Sequence, residues 1–331
     1  MNAMFEEATP TERKVYYNEE WKPSDVPSFL KNSIVYREFG FDHDGSGPKD
    51  RYNQFKDMTQ LEAFLKNRSP FAVYSSISYY KEPANRKGYE KAELVFDIDA
   101  KDLPVKNCCS QGEVCNTCLE TAKDFVLNIE EILKNELGLN NIHFIYSGRG
   151  YHIRILDDDI MNFTDTERAY ILDYISGSTL PKRSAERDPW LLSKGHTRIF
   201  KDRVKWTLKN MSLKDLEDIE GIGRITAREL FEAKDKIIRE IDETEGSLKA
   251  EHPFKMLEDI LKEKRYAQFL EYITRLNASV LDAKVTVDVK RILRLPSSLH
   301  SKVSMKCMEI DNIERFDPLR DAVPKFVGER G

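Results

Sequence analysis

The chain has 331 residues, 40% of them hydrophobic and 10% aromatic, enough apolar material for a sizeable core, which excludes a wholly disordered protein. Its 52 Lys+Arg against 57 Asp+Glu leave a formal charge of −5, which argues against the uniformly basic surface of a nucleic-acid coat protein and leaves room for a local basic groove. No apolar run approaches the roughly 20 residues that cross a bilayer, and the opening MNAMFEEATPTERK is too polar for a secretory signal, so a soluble, cytoplasmic protein with no membrane partner is expected.

In chain order, residues 34–41 (IVYREFGF) and 70–80 (PFAVYSSISYY) read as strands rich in β-branched and aromatic residues, joined by the amphipathic stretch MTQLEAFLKN. ELVFDID at 93–99 alternates cleanly, with Leu94, Phe96 and Ile98 on one face and Val95, Asp97 and Asp99 on the other. Cys108, Cys109, Cys115 and Cys118 then crowd into a C-C-x5-C-x2-C run that turns at Gly112. Four thiolates at this spacing close a structural zinc site and leave no position for a substrate water; a cluster of unligated thiols is the alternative. TAKDFVLNIEEILKNELG has helical spacing and stops at Gly138, and it feeds the strand NIHFIYSG, giving a strand–helix–strand unit. TDTERAYILDYISG predicts a helix capped by Thr164 or Asp165 and stopped by Gly177.

From there to about residue 278 no alternating strand appears, and Leu213, Leu216, Ile219, Phe254, Leu257, Ile260 and Leu261 recur at helical spacing. The chain therefore divides into a first core part (1–178, with the knuckle at 106–120), a helical subdomain (179–278) and a second core part (279–331). Within the helical part, 182–209 interleaves Lys and Arg with Trp190, Phe200 and Trp206, which suits either a single-strand track or an amphipathic face with aromatic anchors. LEDIEGIGRITARELFEA (216–233) is similar to a helix–hairpin–helix that offers backbone N–H groups to a DNA phosphate, or else it is a plain helical hairpin. The acidic run EIDETEG at 240–246 reads as a solvated linker. AKVTVDVKRIL at 283–293 alternates again, which predicts a strand carrying Asp288, and SKVSMKCMEI followed by DPLRDAVP predicts a final strand and a Pro-bounded loop.

Asp97 and Asp99 share one strand face with Cα atoms roughly 7 Å apart, a spacing that grips hard cations when a further acid joins them. Asp288 is the expected third acid. Alone, a D-x-D on a half-buried strand also occurs as a solvated edge. SGRGYHI joins a strand to its continuation through two glycines, exposing backbone N–H groups beside Ser147, Arg149 and His152; it suits a phosphate cradle, or is a Gly-rich turn. RLPSSLH follows the Asp288 strand and carries Arg294 and His300 to the same rim, where they suit a triphosphate or are ordinary surface charge.

These segments together, YREFGF, ELVFDID, the cysteine knuckle, YSGRGYHI, VTVDV, RLPSSLH and FDPLRDAVP, resemble in order and over nearly the whole chain the small catalytic subunit of archaeal and eukaryotic DNA primase. The resemblance implies an α/β (α+β) catalytic core of mixed sheets and helices with a zinc knuckle and a helical insertion. By it, Asp97, Asp99 and Asp288 hold two catalytic Mg²⁺ or Mn²⁺ ions, and Cys108, Cys109, Cys115 and Cys118 hold one structural Zn²⁺. Ser147, Arg149, His152, Arg294 and His300 hold nucleotide phosphates, with Arg37 also lining the site. The implied activity is template-dependent synthesis of short RNA primers on single-stranded DNA from NTPs, with dNTPs as a second substrate class, in a heterodimer with a large primase subunit. The glycine loop is one residue shorter than the SGRRGVH form of eukaryotic members, and Arg294 stands where they carry lysine, which alters hydrogen-bonding geometry. A primase–polymerase of DNA end repair and a zinc-stabilised nucleic-acid-binding scaffold are the alternatives, separated by metal-dependent NTP incorporation and by de novo starts. The absence of a basic import run fits an archaeal cytoplasmic protein, whereas a eukaryotic one would be nuclear.

Overall fold

The IVYREFGF pattern divides in two: Ile34–Tyr36 close a 3-10 turn, and strand β1 covers Phe39–Asp42. A second division falls at Ile77, whose N–H bonds Arg291 O, so that β3 (Ala72–Ser76) and β4 (Ser78–Glu82) enter different sheets. Ser76 bridges the break, its hydroxyl accepting from Glu38 N–H at 3.1 Å and donating to Ser78 O at 2.7 Å. The computed structural model describes residues 6–180, 195–244 and 252–330. The chain forms two compact units, one of residues 1–101, 114–168 and 282–331 and the other of 102–113 and 169–281.

The first unit is mixed α/β. One sheet has the order β2-β1-β3-β9, with β2 at Asp50–Asn53 and β9 at Ile292–Arg294. Its inner face carries Phe39, Phe41 and Val73 into a core that includes Leu61 and Leu65 of the helix Met58–Arg68, which Asp57 caps through Gln60 N–H at 2.8 Å. A second sheet has the order β10-β7-β8-β6, with β6 at Leu94–Asp99, β7 at Ile142–Tyr146, β8 at Gly150–Ile155 and β10 at Met308–Ile310. β6 and β7 both pair antiparallel with β8, so they run parallel to each other with β8 between them. The helix Asn116–Glu131 makes the crossover, burying Leu119, Phe125, Val126 and Ile129, and the chain turns at Gly138 (φ +69°). SGRGYHI is therefore the tip of the β7–β8 hairpin and not a strand running into its own continuation. β4 and β5 (Lys87–Ala92) form a separate hairpin.

The segment 283–293 departs most from its sequence pattern. Asp282 accepts Lys284 N–H at 2.9 Å and starts a short helix, Ala283–Val287, that buries Val285 and Thr286. The valine alternation that predicts a strand instead places Val285 in a small core with Ile77, Ala92, Val95 and Leu293. Asp288 sits at the helix C-terminus, not on a strand. Near the chain's end, DPLRD forms a helical turn, Pro318–Asp321, capped by Asp317, in place of a loop.

The second unit is helical among its described residues, with His196–Asn210, Leu213–Glu217, Arg224–Glu243 and the long Lys255–Ser279, which kinks at Lys262. Phe200, Val204, Leu216, Ile219, Leu230, Ile237, Phe254, Leu257, Phe269 and Ile273 form its core. Thr164 caps the preceding helix Asp165–Ser176 through a reciprocal pair of bonds with Glu167, and Gly177 (φ +68°) ends it. Of the 182–209 segment, 182–194 lies outside the described residues; in the remainder Phe200 is buried and Trp206 packs on the core, so these aromatics anchor a helix. Glu240–Glu243 likewise belong to a helix that buries Ile241, and the rest of the acidic run beyond Thr244 lies outside the described residues. No described helix is long and apolar enough to cross a membrane.

Candidate active site

The period-two geometry of β6 delivers Asp97 and Asp99 to one face of the second sheet. The antiparallel register sets His152 opposite Asp97 and Gly150 opposite Asp99. Glycine is required at 150, where a Cβ would collide with the Ile98 carbonyl oxygen. His152 Nε2 lies 3.5 Å from Asp97 Oδ1. This is no ion pair, because burial, reinforced by the nearby Arg154 and Arg294, drives the His152 pKa down to about 3 and keeps the ring neutral. Burial, then the charges of Asp99 and Asp282, push the Asp97 carboxyl up to about 7. Asp99 is better compensated: Arg149 Nη2 donates to its Oδ2 at 2.9 Å, Lys101 N–H donates to its Oδ1 at 3.0 Å, and Lys101 Nζ stands at 3.9 Å.

The third acid brought to this face is Asp282. Its N–H bonds Asp97 O at 3.1 Å, and its carboxylate acts electrostatically on Asp97. Asp288, the acid expected there, has a half-exposed side chain that accepts Lys290 N–H at 2.9 Å and faces Arg291 Nε at 3.4 Å. The sequence carries one signal for this arrangement, an Asp immediately before Ala-Lys, which is a helix-cap position. The valine alternation beyond it points the other way.

Four of the expected phosphate-binding side chains gather beside the acids. Ser147 N–H bonds Gly150 O at 2.9 Å to close the β7–β8 turn. Gly148, at φ +99°, presses so near His300 that a Cβ would lie 2.5 Å from the His300 Cβ. His300 is buried, and its pKa lies well below the usual value through burial and the charges of Arg294 and Arg149. Its Nδ1 accepts Lys302 N–H at 3.0 Å, so the neutral ring carries its proton on Nε2 and offers a donor there. Arg294 comes from the first sheet, where β9 sets it opposite Tyr74, whose hydroxyl accepts from Arg294 Nη2 at 3.2 Å. Arg149 Nε, Arg294 Nε and His152 Nδ1 are buried without a protein partner among the described residues. Buried polar atoms of this kind need an explanation, and two guanidiniums with two neutral imidazoles form a donor set suited to an anion.

Arg37 does not join this group. It is fully buried, with Nη2 2.5 Å from Glu93, Nε on Ser33 at 2.9 Å, Nη1 on Ser76 O at 2.7 Å and its guanidinium 3.8 Å above the Tyr79 ring. Arg154 holds the other oxygen of Glu93 at 2.6 Å. Burial would raise the Glu93 pKa, yet Arg154 and Arg37 more than offset it and hold it low. Arg37 is spent on a buried structural ion pair and has nothing left for a nucleotide.

The four clustered cysteines converge. Their sulfurs all lie within 4.8 Å of one another, with Cys115 and Cys118 Sγ at 3.5 Å. Tetrahedral zinc–thiolate bonds of about 2.3 Å place sulfurs just under 4 Å apart, so the donor set fits zinc. Gly112 (φ +85°) turns the loop, Cys115 occupies the N-cap of Asn116–Glu131, and Cys118 is buried in its first turn. The carboxylates offer the hard oxygens that suit a divalent cation, and burial with the charges of Asp99 and Asp282 leaves Asp97 under-compensated; among the described residues only the cysteines already stand at metal-ligand spacing. A groove of about 520 Å³ beside β7 and β10 contains none of the candidate residues, and its His143 is already engaged with Glu309 at 2.7 Å.

Residues 96–311 match the family model described as DNA primase small subunit. The chain is 45% identical to the DNA primase small subunit PriS of Methanothermobacter thermautotrophicus over the whole of both chains. It is 43% identical to that of Methanobrevibacter smithii, covering 99% of this chain and 100% of the relative. With that of Pyrococcus furiosus the identity is 40%, covering 98% and 94%.

Proposed function

The chain belongs to the DNA primase small-subunit family, a primase nucleotidyltransferase, and from that premise we propose that it synthesises short RNA primers on single-stranded DNA at the Asp97 cleft. The observation that carries this reading is the juxtaposition of the raised Asp97 carboxyl with arginines and a neutral histidine whose buried Arg149 Nε, Arg294 Nε and His152 Nδ1 have no protein partner among the described residues. Asp97, Asp99 and Asp282 are the residues that would hold Mg²⁺ or Mn²⁺, with Asp282 in the role the sequence pattern assigns to Asp288. Bound divalent cations would lower the pKa of the attacking 3′-hydroxyl and neutralise the leaving pyrophosphate. Arg149 and Arg294 supply fixed positive charge to the triphosphate, and Ser147 adds a hydroxyl on the same turn. His152 and His300 are neutral, so they contribute oriented hydrogen bonds and no charge. Gly148 and Gly150 let the loop pack against His300 and the Ile98 carbonyl, which keeps these donors together.

The cysteine cluster would hold one structural zinc ion, and the large primase subunit is the proposed partner. Measuring labelled NTP incorporation on a single-stranded template, with and without divalent cation, tests the reading. Wild type should start chains de novo, and Asp97→Ala with Asp99→Ala should make none while staying folded. Extension of existing ends without de novo starts would favour the end-repair alternative, and incorporation by the double variant would defeat the site assignment.

A further inference from the structure

Outside the acids and phosphate donors, one exposed cluster in the same unit is held in an unusual backbone conformation. Five non-glycine residues among those described have positive φ, and two of them, Tyr52 (+67°) and Arg86 (+51°), stand together. Such conformations persist where surrounding contacts over-determine them. Here the determinant is Glu38, fully buried, whose carboxylate takes Arg51 Nε at 2.6 Å, Arg86 Nε at 2.6 Å, Arg86 Nη2 at 3.2 Å and Tyr52 N–H at 3.4 Å. Both guanidiniums lean on the Tyr52 ring, Arg86 at 4.8 Å and Arg51 at 5.9 Å from its centroid. The ring is nevertheless 52% exposed. Two arginines against one carboxylate leave the cluster with a net positive charge.

Its position follows from the sheet register. Gly40 pairs with Tyr74, and Tyr74 with Arg294, so the three lie in one row. A Cβ on Gly40 would meet Ile292 Cδ1 at 2.8 Å and Arg51 Cδ at 3.0 Å. The stem of Arg51 therefore lies over the face of the first sheet that also carries Arg294. β2 and β9 are the two edges of this four-stranded sheet, about 14 Å apart at roughly 4.8 Å per strand step. The Arg51 end of the cluster thus shares a sheet face with Arg294, three strand steps away across the first sheet.

We propose that Tyr52, clamped by Arg51 and Arg86 on the buried Glu38, is a stacking platform for an unpaired nucleotide of the single-stranded DNA. The exposed ring takes a base face and the excess cationic charge takes the adjoining phosphate. The chemistry selects nucleic acid because a rigid aromatic with flanking guanidiniums binds any base without reading sequence. The proposal rests on the primase reading above, since it is that reading which brings a single strand to this cleft.

The test uses the full chain and a fluorescently labelled oligodeoxythymidine of about 20 nucleotides, with binding of Mg·ATP measured in parallel. Tyr52→Ala should weaken oligonucleotide binding at least fivefold, the lower end for loss of one stacked base, and leave ATP affinity unchanged. Tyr52→Phe should bind as wild type. Arg86→Ala should reduce the slope of log affinity against log salt by about one. Tyr52→Gly should raise the thermal midpoint, because glycine accepts the positive φ, yet bind as weakly as Tyr52→Ala; this separates loss of stacking from loss of fold. Unchanged oligonucleotide affinity in Tyr52→Ala, or equal losses of oligonucleotide and ATP affinity, would overturn the platform. If wild type makes primers while Tyr52→Ala binds normally, the platform alone fails. If wild type makes none but binding depends on Tyr52, the platform stands and the primase reading fails.

Discussion

Replacing Asp97 by Asn should make the metal-free protein more stable while it destroys the site. Burial and the charges of Asp99 and Asp282 raise the Asp97 carboxyl from 3.8 to about 7. The sign follows from proton binding: between those values the folded state holds a proton that the unfolded chain has released, so stability falls as pH rises from about 4 to about 7. The shift of roughly three pH units corresponds to about 4 kcal/mol lost above pH 7, at about 1.36 kcal/mol per unit. Asn carries no charge at any pH and escapes that loss. For a unit of roughly 200 residues, at about 2–4 °C per kcal/mol, the variant's transition should lie roughly 8 °C or more above wild type at pH 8 in EDTA. The difference should vanish below pH 4, where wild-type Asp97 is protonated in both states. Adding Mn²⁺ should raise the wild-type midpoint by mass action and leave the variant's nearly unmoved. An Asn variant that is less stable than wild type at pH 8 in EDTA, or a gap independent of pH, would refute the electrostatic account of the nest.

Three further outcomes follow from the same contacts. Gly148→Ala, which places a Cβ 2.5 Å from the His300 Cβ at a φ of +99°, should raise the KM for NTP about tenfold or more, equivalent to about 1.4 kcal/mol; steady-state kinetics will show it, and a normal KM would remove His300 from the site. Arg37→Met strands the buried Glu93 charge beside Arg154 alone and should cost about 3–5 kcal/mol in urea unfolding, with an unchanged KM in the folded fraction; a raised KM with normal stability would return Arg37 to the nucleotide site. Elemental analysis should find one zinc per chain in wild type, and Cys118→Ser should lose it together with cooperative unfolding of the knuckle; retention of full zinc by the variant would dissolve the four-cysteine assignment.

The parts of the site that were legible before the fold was known are those encoded locally. β6 announces itself by alternation because one of its faces is buried, and the four thiols lie within a single short loop. The glycine loop could be read for its permissive backbone but not for its partner, since the need for glycine at 148 arises from His300, which is remote in sequence. Arg37 shows the same limit: nothing in YREFGF reveals that Glu93 is buried opposite it. The 283–293 segment misleads for a different reason. Val285 and Val287 fall inside a short helix and Val289 in the turn before β9, and the side-chain cap of Asp282, which sets the helix, outweighs β-propensity over so few residues. The third acid of the nest was therefore six positions from where periodicity placed it.

The measurement that bears most directly on the carboxylate nest is calorimetric titration of the full chain with Mn²⁺, comparing wild type, Asp282→Asn and Asp288→Asn after zinc loading of the cysteines. The account predicts that Asp282→Asn loses binding by tenfold or more, whereas Asp288→Asn titrates like wild type. Wild-type binding in Asp282→Asn together with its loss in Asp288→Asn would contradict it.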